Sequence, residues 1–165
     1  MLNQTQIGAM LHQAHMATIE ALQQLEEFLG ARGIPAMDDA ARRFLETLAR
    51  TMREEVEVHF GFEEGHLFPV FLSQGENGMV MMLTHEHRSI LPLALQVAEL
   101  AQAAVAAGGF AEETWREFRD SGSELIEREI FHVQKEEMGL LAAVSALVDP
   151  ETDAKLAETY RKLQG

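Results

Sequence analysis

Cysteine is absent from this 165-residue chain. That excludes a disulfide scaffold, iron–sulfur clusters, thiol catalysis and cysteine zinc sites. Basic residues are scarce: 13 Lys and Arg stand against 27 Asp and Glu, a formal charge of −14. So acidic a chain repels phosphate backbones, which argues against nucleic acid as a partner. Anionic membrane surfaces are disfavoured for the same reason. No apolar run approaches the roughly 20 residues that span a bilayer, so no membrane span is expected. The opening MLNQTQIGAM has neither a basic start nor a long apolar core. No signal peptide is therefore expected, and the expected location is the cytoplasm. Proline occurs four times, and Trp and Tyr once each. Histidine, by contrast, occurs seven times.

The length favours one domain spanning residues 1–165. Gly and Pro mark breaks at Gly30 to Pro35, Ser73 to Gly78, Gly108-Gly109 and Asp149-Pro150. Long segments with a 3.6-residue apolar period lie between them. The first carries Ile7, Leu11, Leu22, Leu25 and Leu29 in its stripe, and the second Phe44, Leu48 and Met52 behind a candidate N-cap, Asp38. The third begins after a second candidate cap, Asn77, with Leu83, Leu91 and Ala98 in the stripe. The fourth runs from about Ala111 to Val148 with Phe118, Leu125, Leu140, Val144 and Leu147. No segment alternates like a strand. The pattern predicts an all-α fold: an antiparallel up-down-up-down four-helix bundle over about 5–148. A short C-terminal helix is expected over about 150–164, with Pro150 in its first turn and Leu156, Tyr160 and Leu163 on one side. Pro92 should bend the third helix, and Ser121-Gly122-Ser123 should weaken the fourth.

An internal repeat carries the chemistry. HFGFEEGHLF begins at His59, and HVQKEEMGLL begins at His132. Leu11, His15 and Ile19 likewise correspond to Leu83, His87 and Leu91. His15 and His59 are 44 positions apart, and His87 and His132 are 45 apart. The chain thus reads as two copies of a helical hairpin, each with a His on its first helix and His-x-x-x-Glu on its second. Residues i and i+4 share a helix face. His59 and Glu63 therefore point one way, as do His132 and Glu136, and both pairs fall in the apolar stripe. With His15 and His87, they bring four imidazoles and two carboxylates to the bundle interior. Burying carboxylates without a partner is costly. A pair of divalent or trivalent cations removes that cost, and imidazole with carboxylate suits iron and manganese. A lone inward His is more often a hydrogen-bonded core residue than a ligand. That reading weakens when the same pair recurs at the same spacing in both halves.

The remaining polar groups do not repeat in the same way. His12 is expected at the surface or boundary. His85, about 200° from His87, is expected in solvent. His66 falls on the face of His59 and Glu63 and is a candidate to line the cavity. Glu55, one turn before His59, is a candidate supporting group. Glu64 and Glu137 lie about 100° from the inward carboxylates and are expected to be solvated or paired at the surface.

These residues resemble those of the hemerythrin-like HHE cation-binding proteins. HFGFEEGHLFP from His59 to Pro69 is similar to that family's second-helix signature, EHRSI from Glu86 to its third, and HVQKEE from His132 to its fourth. LLAA then stands where the fourth signature has Leu-Phe-Pro. The resemblance implies two iron ions bridged by an oxo or hydroxo group, with manganese or zinc chemically possible. Glu63 and Glu136 would bridge the ions; His15 with His59 would bind one, and His87 with His132 the other. Oxygen-carrying hemerythrins place a further His one turn before the third-helix ligand, where this chain has Leu83. That departure puts simple oxygen carriage in doubt. It leaves O₂, NO or peroxide as the small ligand, with sensing, storage or peroxide and NO handling as roles. Phe60, Phe62, Leu83 and Leu91 are expected to keep the pocket dry. Monomer and dimer are both open, and so is a redox partner.

One rival is a ferritin-like iron oxidase or store, whose pattern is Glu-x-x-His on two helices. Glu63-x-x-His66 and Glu129-x-x-His132 fit it, but they fall out of register in the repeat. That reading makes His66 and Glu129 essential, with His15 and His87 dispensable. Another rival, a metal-free helical interaction module, leaves the buried carboxylates unexplained.

Overall fold

A computed structural model of the chain describes residues 5–165. The first residues of the opening segment, MLNQ, lie outside them. No strand occurs among the described residues, and five helices follow one another. Helix α1 is Gln6–Leu29. Helix α2 is the continuous rod 39–73, α3 is Asn77–Ala107, α4 is the rod 112–147, and α5 is Pro150–Gln164. Short connections make successive helices antiparallel. In the bundle, α2 packs against α1 and α3, and α4 packs against α3 and α1. Helix α5 folds back onto α1.

Local chemistry explains the helix ends. Thr5 accepts from the Gly8 N–H at 3.0 Å, Asp38 from Ala41 at 2.8 Å and Asp149 from Thr152 at 2.7 Å, each satisfying an orphan donor. Pro150 opens α5, where its missing N–H costs nothing. Gly108 ends α3 in the left-handed conformation, φ 78°. Asn77 departs from expectation. It is the first helical residue, and Glu76 occupies the cap position without a side-chain hydrogen bond.

The helices run on through both expected weak points. Helix α3 continues through Pro92, and α4 continues through Ser121 to Ser123. Gly122 is a close-packing position: a Cβ there would lie 3.0 Å from Leu29 Cδ1. By length and composition α3 is apolar enough to cross a membrane. No unbroken apolar run marks this helix, because alanines sustain its hydropathy between scattered polar residues. Its buried face, from Val80 to Ala104, packs inside the bundle.

Two apolar clusters fill the interior. One gathers Leu22, Leu25, Leu48, Met52, Ile90, Phe118 and Leu125. The other gathers Ile7, Leu11, Phe62, Phe71, Leu83, Leu140 and Val144. Along α1, His15 falls between Leu11 of one cluster and Leu22 of the other; along α4, His132 and Glu136 fall between Leu125 and Leu140. The buried histidines, with Glu63 and Glu136, thus form a layer between two apolar clusters. Two stripe positions are corrected. Leu91 is 37% exposed and Leu163 44% exposed, since each lies on the outer edge of its helix.

Candidate metal centre

His15, His59, Glu63, His87, His132 and Glu136 are all buried and converge in that layer. His15 comes from α1, His59 and Glu63 from α2, His87 from α3, and His132 and Glu136 from α4. Every imidazole turns Nε2 toward the two carboxylates. Glu136 Oε2 lies 2.7 Å from His15 Nε2 and 3.5 Å from His59 Nε2. Glu136 Oε1 contacts His132 Nε2 and lies 3.5 Å from His87 Nε2. Glu63 mirrors this, with Oε1 against His59 Nε2 and Oε2 3.6 Å from His87 Nε2. Each carboxylate therefore gives one oxygen to the His15–His59 side and one to the His87–His132 side.

Among these contacts, His15 Nε2 and Glu136 Oε2 form a hydrogen bond; the others do not have hydrogen-bond geometry. His59 Nε2, both Glu63 oxygens, His87 Nε2, His132 Nε2 and Glu136 Oε1 are buried without a hydrogen-bond partner. Buried polar atoms are nearly always paired. Lone pairs that converge without hydrogen bonds are what a cation requires, and the imidazole–carboxylate donor set suits iron, manganese or zinc. The residues present fit a pair of such ions.

The protonation of these groups follows from the same crowding. Burial opposes charge on His132, but Glu136 beside it overrides burial and raises His132 to about 10. For His15 and His59 too, burial is the largest effect and opposes charge, yet the neighbouring carboxylates push both upward. Burial works against Glu136 as a carboxylate, but His132, His15 and His59 together hold it well below the usual range. Glu63 is pushed up, by burial and then by the charge of Glu136.

The outward nitrogens show an arrangement that sequence reasoning missed. Glu137 was expected to be solvated or surface-paired. Instead its Oε1 lies 2.5 Å from His15 Nδ1 and its Oε2 2.8 Å from His12 Nδ1. Glu64, which is exposed, sits 3.7 Å from His87 Nδ1. Each copy's second Glu thus faces the other copy's first-helix histidine, and the doubled Glu-Glu at equal register was the available signal. Glu86 fills the same role for His132 Nδ1 at 2.8 Å, and Lys135 contacts it from outside. Such partners fix ring orientation and tautomer in metal sites. His12 is half-buried, and His85 is exposed, as expected.

His66 is exposed, stacked beside Phe62 at 5.8 Å, and does not line the layer. The backbone supplies the reason. Residues Glu55–Phe60, Glu63–Leu67 and Glu136–Leu140 form π-helical stretches. Their i→i+5 turns advance each residue by a smaller angle, so three residues past Glu63 fall short of a full turn. Stretches of this kind recur at functional sites, and here all three contain or begin at a site residue. With His66 outside, the ferritin-like pattern lacks one of its Glu-x-x-His pairs.

Two further carboxyls lie beside the layer. Glu55 and Glu129 are buried, and Glu55 Oε2 accepts from the Thr18 hydroxyl at 2.7 Å. Burial, then the charge of Glu55, hold Glu129 well above the usual carboxylate range. Apolar walls close the layer. Phe60 stacks on His87 at 3.9 Å, Phe68 flanks the same ring at 5.7 Å, and Phe62 and Leu83 are buried.

A four-helix bundle whose buried layer joins four imidazoles to two shared carboxylates defines a cation-binding helical protein. The hemerythrin HHE cation-binding domain matches residues 6–144, and the chain belongs to that family. Helix α5 lies beyond the matched residues. A comparison with curated proteins finds no match.

Proposed function

We propose that the protein holds two iron ions between its helices and there binds a small ligand, O₂, NO or peroxide, for sensing, storage or detoxification. One observation carries the reading: each of two buried carboxylates offers one oxygen to a different histidine pair. His15 and His59 would hold one ion, His87 and His132 the other, and Glu63 and Glu136 both. Two such ions supply a redox-active binding position for a small ligand. The chain's own residues do the rest. Glu137, Glu86 and Glu64 hold the imidazoles in register. Phe60, Phe62, Phe68 and Leu83 exclude bulk water. Leu83 stands one turn before His87 and offers no donor, which leaves two imidazoles per ion.

The test is elemental analysis of the protein purified from iron-replete cells, followed by absorption spectra of the reduced form under O₂ and NO. About two irons per chain and a ligand-dependent spectrum are expected. Stoichiometric zinc or manganese in place of iron overturns the iron assignment. No bound metal after anaerobic loading overturns the reading altogether.

A further inference from the structure

A cavity of about 360 Å³ opens between α1, α2 and α5 and reaches the polar layer at His59. Its walls include Ala14 and Thr18 from α1, Glu54 and Glu55 from α2, and Tyr160 from α5. Glu54 is exposed and Glu55 is 6% exposed, so two successive carboxylates lead from surface to interior. His59 follows, 2% exposed, with Nδ1 lacking a hydrogen-bond partner. Glu55 Oε1 is buried and likewise unpartnered. Its other oxygen is fixed by Thr18, so the free one has a defined direction. The inner end of this path is Glu63, whose Oε1 contacts His59.

We propose that this cavity is the path by which a divalent cation reaches the interior, with Glu55 as a transit ligand between solvent and His59. The inference rests on the reading of the six-residue centre as a metal site. Physical considerations favour a cation over an anion or an apolar ligand. A carboxylate in a low-dielectric wall attracts cations strongly, and a cleft lined by one sign of charge raises the local concentration of its counter-ion. The net charge of −14 acts in the same direction at longer range. Donor follows donor along the path: Glu54, Glu55, His59, Glu63. A dehydrating ion therefore exchanges water for oxygen and nitrogen in steps and is not stripped all at once. Part of the wall comes from outside the family-matched residues. Tyr160 stands edge-on to the His59 ring at 6.4 Å.

The experiment is stopped-flow uptake of Co²⁺, followed by its visible absorption, into the full chain freed of metal by chelation. Glu55→Gln keeps the shape of the side chain and removes its charge. Uptake is expected to slow about ten-fold or more, to an unchanged final stoichiometry. Ala14→Phe, which fills the cavity without removing a carboxylate, is expected to slow uptake as well. Glu46→Gln, on the exposed face of α2, removes the same charge elsewhere and is expected to keep the wild-type rate. Circular dichroism establishes that each variant is folded. Wild-type uptake kinetics in Glu55→Gln, or equal slowing in Glu46→Gln, would overturn the proposal. Failure of the wild-type chain to take up cobalt at all would instead remove the metal centre on which the inference rests.

Discussion

Glu137 does more than its position on the helix suggests. It grips the outward nitrogen of His15 and also meets His12. Removing such a support typically weakens metal binding ten- to a hundred-fold. Glu137→Gln is therefore expected to lower metal affinity by about that factor, read by competition with a chelator. His66→Ala should leave affinity unchanged, because that ring is exposed. Glu129 gives a second prediction. Its proton is held in the folded chain above the pH at which the unfolded carboxyl loses it, near 4.5. The folded state then binds more protons over that interval, so this contribution to stability falls as the pH rises past 4.5. Glu129→Gln removes the penalty. At pH 7 the variant is expected to gain roughly 1 kcal/mol, with a shallower decline in stability as the pH rises above 4.5. Urea titrations at several pH values decide it; a large loss of stability at pH 7 would contradict the assignment. The six convergent residues were legible in the sequence because the same spacing occurs twice, which a chance core histidine does not do. The roles of Glu137 and Glu86 are harder to read, because each works across a helix interface that one helix's period does not describe; for Glu137 the repeated Glu-Glu is the sole trace.

At the scale of the element, the 3.6-residue period located all five helices, and its failures have local causes. His66 was misplaced because the period assumes α geometry, whereas Glu63–Leu67 is π-helical. Asn77 was read as a cap from its residue type, although the chain turns one position earlier, at Glu76. Gly122 was read as a weakness, although it is where α4 approaches Leu29 of α1. The attachment of α5 lay beyond any single-helix pattern. Asp153 is buried and accepts from the backbone N–H groups of Gln6 and Ile7, at 2.9 and 2.8 Å. A carboxylate there satisfies two orphan donors and complements the positive end of α1. Asp153→Ala is expected to cost about 1–3 kcal/mol, measured by urea denaturation. It should also loosen α5 enough to raise amide exchange around Tyr160. Unchanged exchange there would show that α5 is held by apolar contacts alone.

At the scale of the molecule, a layer of ionisable groups separates two apolar clusters, and its charge state couples metal, protons and stability. His132 keeps its proton to about pH 10, against its ordinary 6.5. The metal-free folded chain therefore binds more protons than the unfolded chain between those values. The resulting stabilisation is complete below about pH 6.5 and is lost as the pH rises through about 10. His15 and His59 are shifted in the same direction. Metal ligation requires neutral imidazoles, so loading must expel the protons these rings carry. Three consequences follow together. Adding Fe²⁺ or Zn²⁺ to the metal-free chain in weak buffer should release protons, detectable with an indicator dye. Apparent metal affinity should increase from pH 6 to 8. Metal should also raise the melting temperature, because an ion that binds only the folded state stabilises it by about 2.7 kcal/mol at a hundred times Kd. The gain should be greatest at alkaline pH, where the protonated imidazoles no longer stabilise the metal-free chain. Calorimetry at pH 6.5 and 9 with and without metal measures the difference directly. Equal melting temperatures in all four conditions would mean that neither protons nor cations neutralise the buried carboxylates, and the electrostatic account of this layer would fail.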